Sequence, residues 1–214
     1  MNRIILFGNV KGGVGKTTLC ATFANYLRMN NHNVVVVDAD LQQSLSFHRQ
    51  DDLKENDGAS IPYHVVTFKA SSQAEAKNLM EQYKTFDGYV LIDCPGNLND
   101  PAQSIAFAMC NAVVVPMAYD TDTIRATQLF AQVFKKCSKS TLIYVPNRIN
   151  DREGTAEEFE KRKKALEELH KYGWMTQRIK QNVHVKRYTT LFALDREQLK
   201  AVEEPFKDIL SRIN

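Results

Sequence analysis

The chain has 214 residues, enough for one α/β domain with a substantial core and too few for two comfortable ones. Hydrophobic residues make up 43% and charged residues 25%, which excludes a disordered chain as the reading of the whole. The net charge is +3 and unevenly spread: residues 1–134 hold 10 Lys+Arg against 13 Asp+Glu, and residues 135–214 hold 18 against 12.

The elements follow in chain order. Residues 3–7 form a short apolar run ending at Gly8 and read as a buried strand. Residues 16–29 place Leu19, Phe23 and Leu27 at helical spacing. Residues 33–37 hold four consecutive valines, the mark of a strand buried on both faces. Residues 65–68, 89–92, 112–116 and 141–145 are further strands. Helices are expected at 72–83 and at 120–136, where Asp120 and Asp122 open the segment and Lys135 and Lys136 close it. Another spans 155–172, with a Thr155/Glu158 capping box and a stop at Gly173, and the last spans 196–213 despite Pro205. This alternation predicts a single α/β domain over residues 1–214, with a mostly parallel central sheet covered by helices on both faces.

The N-terminal run passes straight into a glycine-rich loop without a signal-like segment, and no stretch approaches the ~20 apolar residues of a membrane span. Cys20, Cys94, Cys110 and Cys137 are widely spaced without a CxxC pair, so reduced thiols and a cytoplasmic location are expected.

The strongest motif is Lys11-Gly12-Gly13-Val14-Gly15-Lys16-Thr17-Thr18, set between the first strand and first helix. Glycines let the backbone wrap around phosphates with its N–H groups turned inward, and the helix N-terminus adds partial positive charge. Lys16 is expected to reach the β- and γ-phosphates, the Thr17 hydroxyl to ligate Mg²⁺, and Thr18 to meet the α-phosphate.

Two acidic motifs end buried strands, where open α/β sheets bind ligands. In Asp38-Ala39-Asp40-Leu41-Gln42, two carboxylates stand one residue apart past the valine run. They would repel without a cation or water network between them. Asp40 is expected to position an attacking water and Asp38 to support Mg²⁺ and that water, with the reverse division open. In Leu91-Ile92-Asp93-Cys94-Pro95-Gly96, the apolar strand followed by aspartate has the Walker B form, so Asp93 is expected to hold Mg²⁺ through water. Asn147 and Arg148 follow the strand at 141–145; an asparagine amide donates to and accepts from a purine edge at once.

Val10 stands where the usual P-loop has its first glycine, and Lys11 opens the loop instead. This form, KGGVGKTT, resembles the deviant P-loop of the ParA/MinD ATPases. The resemblance implies a P-loop NTPase fold, ATP and Mg²⁺ as ligands, and an ATP-sandwich homodimer in which Lys11 reaches the partner's phosphates. It also implies that Asn147 and Arg148 recognise adenine and that Pro95-Gly96 opens a γ-phosphate-sensing loop. Leu41 replaces the family's proline after D-x-D.

Val10 and Gln42 resemble the ParA branch, and the small plasmid-type ParA proteins in particular. That branch implies non-specific DNA binding, partition of plasmids or chromosomes, nucleoid association in the ATP state, and hydrolysis stimulated by a centromere-binding, ParB-like adaptor. Because the chain opens on its phosphate-loop strand, no N-terminal DNA-reading domain is expected. Lys180, Lys186 and Arg187 are the expected DNA contacts, with Lys163 and Lys164 weaker because Glu160, Glu167 and Glu168 lie nearby. The alternative is a MinD-like, membrane-associated regulator that positions a cellular complex. Its feature would be the stripe Phe206, Ile209, Leu210 and Ile213, which reads first as a core-facing helix. A membrane partner is therefore not expected. A metal-cluster electron donor would need Cys94 and Cys110 as ligands, and neither sits in a glycine-flanked motif. A non-hydrolysing scaffold would not need the full set of lysines and carboxylates.

Overall fold

The computed structural model of the chain describes residues 1–96, 100–150 and 155–213. Among them, seven strands form one parallel sheet: β1 (Asn2–Phe7), β2 (Val34–Asp38), β3 (His64–Thr67), β4 (Gly88–Asp93), β5 (Ala112–Met117), β6 (Thr141–Pro146) and β7 (Trp174–Met175). Their spatial order is β3-β2-β4-β1-β5-β6-β7, with β1 between β4 and β5. All pairings are parallel, so every connection crosses over a face of the sheet.

The crossovers are α1 (Lys16–Met29), α2 (Ser44–Glu55), α3 (Gln73–Lys84), α4 (Pro101–Met109), α5 (Thr121–Cys137) and α6 (Ala156–His170). A single turn, α7 (Val183–Lys186), and α8 (Arg196–Ile213) end the described chain. Strand side chains alternate between two apolar layers. Ile5 and Phe7 face α1 and α8, and Ile4 and Leu6 face the side covered by α3, α4, α5 and α6. Burial on both faces is why these strands read as unbroken apolar runs.

The expected helix ends hold where local chemistry fixes them. Asp120 caps α5 by accepting from the Thr123 N–H at 2.9 Å. Thr155 and Glu158 form a reciprocal capping box on α6. Pro205 sits inside α8 and is itself buried. The stripe Phe206, Ile209 and Ile213 packs into the core against α1, with Phe23 and Phe206 ring centroids 4.9 Å apart. The stripe is the core-facing helix expected, with Leu210 packed partly buried against the same cluster. No described helix is long and apolar enough to cross a membrane.

Candidate phosphate-binding site

The site lies beyond the carboxyl ends of β1, β2 and β4. β1 delivers the chain into the glycine loop and α1 leads out of it. Gly13 (φ 74°) and Gly15 (φ 98°) take left-handed conformations, which cost other residues dearly. A Cβ on Gly15 would meet the Asn147 amide nitrogen at 2.5 Å, whereas one on Gly12 or Gly13 would meet nothing within 4 Å. The loop is thus closed on its Gly15 side and open on its Gly12–Gly13 side, which leaves room for a ligand.

Residues outside the loop fix its shape. Asn9 is 2% exposed; its side-chain nitrogen donates to the Pro116 carbonyl and the Thr127 hydroxyl at 2.9 Å, and its oxygen accepts from the Lys11 N–H at 3.2 Å. Asn147 is buried and donates to the Val14 carbonyl at 2.9 Å. Arg148, exposed and at φ 59°, donates from Nη1 to the Gly13 carbonyl at 2.9 Å. The pair expected at adenine therefore also braces the phosphate loop. Sequence reading missed Asn9; its one signal is an amide between Gly8 and Val10 at the end of an apolar strand.

The lysines differ in role. Lys16 Nζ lies 3.4 Å from the Lys11 carbonyl and 3.6 Å from the position a Gly96 Cβ would occupy, so its ammonium bridges the loop and the end of β4. Lys11 is half-buried and its ammonium acts on Asp120. Partial burial pushes the Asp120 carboxyl up, but hydrogen bonds from Thr123 outweigh this and, with a contribution from Lys11, hold it below its ordinary range.

Strand register brings two of the three carboxylates together, and Asp40 follows two residues past the end of β2. Asp38 and Asp93 are direct partners at the ends of β2 and β4. Asp93 is 1% exposed and one of its oxygens has no hydrogen-bond partner. Burial raises its pKa to about 7 from 3.8; the Thr17 hydroxyl bond lowers it, Asp38 raises it, and Lys16 and Asp40 act more weakly in opposite directions. Asp38 is fully buried. Its Oδ1 accepts from the Asp40 N–H at 3.2 Å, and its Oδ2 accepts from both the N–H and the hydroxyl of Ser46 at 2.9 Å. Asp40 is half-buried at the mouth, accepting from the Gln42 N–H at 2.9 Å.

This arrangement fits a magnesium ion held jointly with phosphates. The Thr17 hydroxyl acts on the Asp93 carboxyl, and one Asp93 oxygen is buried without a hydrogen-bond partner. Among the described residues, no three His, Cys, Asp or Glu side chains are gathered to hold a metal by themselves. A P-loop magnesium draws most of its shell from phosphate and water and needs no such cage. Thr18 lies half-buried in the first turn of α1, its carbonyl accepting from the Thr22 hydroxyl at 2.8 Å. Cys94 and Cys110 carry free, buried thiols in the apolar layer.

The expected DNA contacts are outside this site. Lys186 and Arg187 are adjacent and exposed at the end of α7, and Lys180 is exposed at a bridge to Ile149. Lys163 and Lys164 are exposed on α6. A cleft of about 550 Å³ opens between the ends of β5 and β6 and helices α5 and α6, next to Arg148.

A parallel sheet whose first strand feeds a glycine loop, with aspartates closing two neighbouring strands, defines a P-loop nucleotide-binding protein. The family described as "CobQ/CobB/MinD/ParA nucleotide binding domain" matches residues 5–190, and the chain belongs to it. Septum site-determining protein MinD of Synechocystis sp. is 28% identical over 141 residues, which cover 54% of this chain and 53% of that protein. The chain thus matches about half the length of that curated relative. Two solved structures share the fold over 100% of both chains, each with a TM-score of 0.76. One is apo McdA from Cyanthece at 14% identity. The other is a putative plasmid partition protein of Borrelia burgdorferi B31, bound to AMPPNP, at 18% identity.

Proposed function

We propose that the chain is a ParA-like ATPase that forms an ATP-sandwich homodimer, binds DNA non-specifically and drives partition of plasmid or chromosomal DNA. The observation that carries the ATPase reading is that Lys16 and Thr17 of the glycine loop both act on the buried Asp93 at the end of β4, with Asp38 its partner in register. Gly12–Gly15 wrap the phosphates with main-chain N–H groups, and Lys16 neutralises the β- and γ-phosphates. Thr17, and Asp93 through water, would hold Mg²⁺, which would offset the charge of the phosphate oxygens. Asp40 orients the attacking water. Asp38, whose oxygens are taken by Ser46 and the Asp40 N–H, supports the water and metal from behind by fixing the loop that carries Asp40. Lys11 reaches the partner's phosphates. Asn147 retains its amide oxygen for the adenine edge while its nitrogen braces Val14.

The partition role rests on Val10 and Gln42, on the basic excess of residues 135–214, and on the exposed pair Lys186 and Arg187, with Lys180 beside them in sequence. The likeness to a putative plasmid partition protein agrees with it. A ParB-like adaptor would stimulate an otherwise slow hydrolysis, and the ATP dimer would associate with the nucleoid. The second reading is a MinD-like regulator of a cellular complex, favoured by the curated MinD match. The burial of Phe206, Ile209 and Ile213 weighs against its membrane contact.

Binding to non-specific duplex DNA with ATP–Mg²⁺, with ADP and without nucleotide, over a salt series, tests the partition role. ATP-dependent binding that weakens steeply with salt is expected, and Lys186→Ala with Arg187→Ala should flatten the salt slope by about two. Absence of binding in every nucleotide state at low salt would remove that role. Lys16→Ala is expected to abolish productive ATP binding in calorimetry while leaving the fold intact.

A further inference from the structure

We infer that helix α2 is a rigid link that carries the state of the phosphate site to the segment 183–192, which bears the exposed Lys186 and Arg187. The inference rests on nucleotide binding at the glycine loop and not on DNA binding.

The first end of the link is the D-x-D motif itself. Gln43 precedes α2 at φ 50° and makes no side-chain cap. The cap comes instead from Asp38, whose Oδ2 takes both the main-chain N–H and the hydroxyl of Ser46 in the helix's first turn. The carboxylate that holds the Asp40 N–H therefore also holds the N-terminus of α2. Any shift of the Asp38–Asp40 loop around a γ-phosphate shifts the start of this helix.

The other end is a buried polar clasp. Arg49 donates from Nε to the Thr190 hydroxyl at 2.7 Å, from Nη2 to the Thr190 carbonyl at 2.8 Å, and from Nη1 to the Tyr63 carbonyl at 2.7 Å. Asp52 Oδ2 accepts from both the N–H and the hydroxyl of Thr190 at 2.6 Å. Thr190 is fully buried, and Arg49 and Asp52 are 6% and 8% exposed. The His48 ring stacks on Tyr188 at 4.6 Å. The N–H, carbonyl and hydroxyl of Thr190 are thus all bound to α2.

This mode of attachment differs from ordinary helix packing. Leu45, Arg49 and Asp52 are the residues α2 buries, so one apolar side chain and two charged ones form its inner face. Hydrogen bonds are directional and weaken steeply with misalignment. A helix held this way drags its partner when it turns. The partner here is the segment bearing Lys186 and Arg187, flanked by exposed Val183 and Phe192. Asn25 of α1 also holds the Thr189 carbonyl, and Gln198 of α8 the His184 and Arg187 carbonyls, so a pull from α2 at Thr190 is felt against these fixed points.

Amide hydrogen exchange on the full chain tests the link, comparing ADP–Mg²⁺ with AMPPNP–Mg²⁺. In the native protein, exchange across 183–192 is expected to differ between the two nucleotides by about fivefold or more. In Arg49→Met with Asp52→Asn, which removes both buried charges together, that difference should vanish while the response of residues 11–18 persists. Thr190→Val keeps the main-chain bonds and should give an intermediate response, which decides the matter if the double variant does not fold. An unchanged difference at 183–192 in these variants, or none in the native protein while 11–18 respond, would overturn the link. No response of residues 11–18 to either nucleotide would instead bring down the nucleotide reading, and the link with it.

Discussion

Helices α1 and α2 both leave the carboxyl end of the sheet, from β1 and β2 on either side of β4, and each follows a motif of the candidate site. They are held by opposite means. α1 buries nine consecutive residues, Leu19 to Leu27, and packs Phe23 against Phe7, Tyr26 and Phe206. α2 buries Leu45, Arg49 and Asp52 and is fastened by hydrogen bonds at both ends. The difference teaches a division of labour. The loop that cradles phosphate needs an immovable backing, which close apolar packing supplies. The loop bearing Asp38 and Asp40 is tied to α2 by directional polar bonds, which suit the lever proposed above.

The largest effect should come from breaking the backing. Phe23→Ala is expected to cost about 3–5 kcal/mol of global stability in denaturant unfolding, because a fully buried ring is lost with partial collapse of the cavity. Breaking the lever is the next step down. Arg49→Met should cost about 3 kcal/mol, since Asp52 then stays buried without its cationic neighbour. Adding Asp52→Asn should recover part of that loss. An apolar anchor at α2 would show no such recovery, so the pair of measurements separates the two modes.

A smaller effect of opposite sign is expected between the two helices, at Asp93. Burial lifts this carboxyl to about 7 from 3.8, so the folded chain holds its proton more tightly than the unfolded chain. Stability of the nucleotide-free, metal-free protein should therefore fall as pH rises from about 4 to 7 and level off above. Asp93→Asn should raise Tm by about 2–4 °C at pH 8, and the gain should shrink towards pH 4. A gain independent of pH in thermal melts would show that the charge of Asp93 carries no such cost.

The same contrast explains what was legible in the sequence. α1 was readable because its apolar spacing is regular, and β1, β2, β4, β5 and β6 were readable because burial on both faces writes unbroken apolar runs. α2 was not, since its inner face carries Arg49 and Asp52, which periodicity counts as solvent-facing. α4 went unread although Asp100 and Pro101 supply a cap and an N1 proline, because the helix is only nine residues long. β7 has two residues and α7 a single turn, too short to write a period.

In the site, the glycine loop, Asp38, Asp40 and Asp93 were legible because ligands gather where strands end. The second duty of Asp38 as the cap of α2 was not, nor was the bracing of the loop by Asn9, Asn147 and Arg148. Those bonds join residues up to 135 positions apart, and only the tertiary fold brings them into reach.

The central claim is that nucleotide at this site switches the chain between monomer and dimer. Light scattering of Asp40→Ala with saturating ATP–Mg²⁺ tests it most directly, because loss of the water-orienting carboxylate should stall the ATP state. Twice the mass of the 24.4 kDa chain is expected with ATP, and the single-chain mass with ADP. A species that stays at the single-chain mass while ATP is demonstrably bound would contradict it.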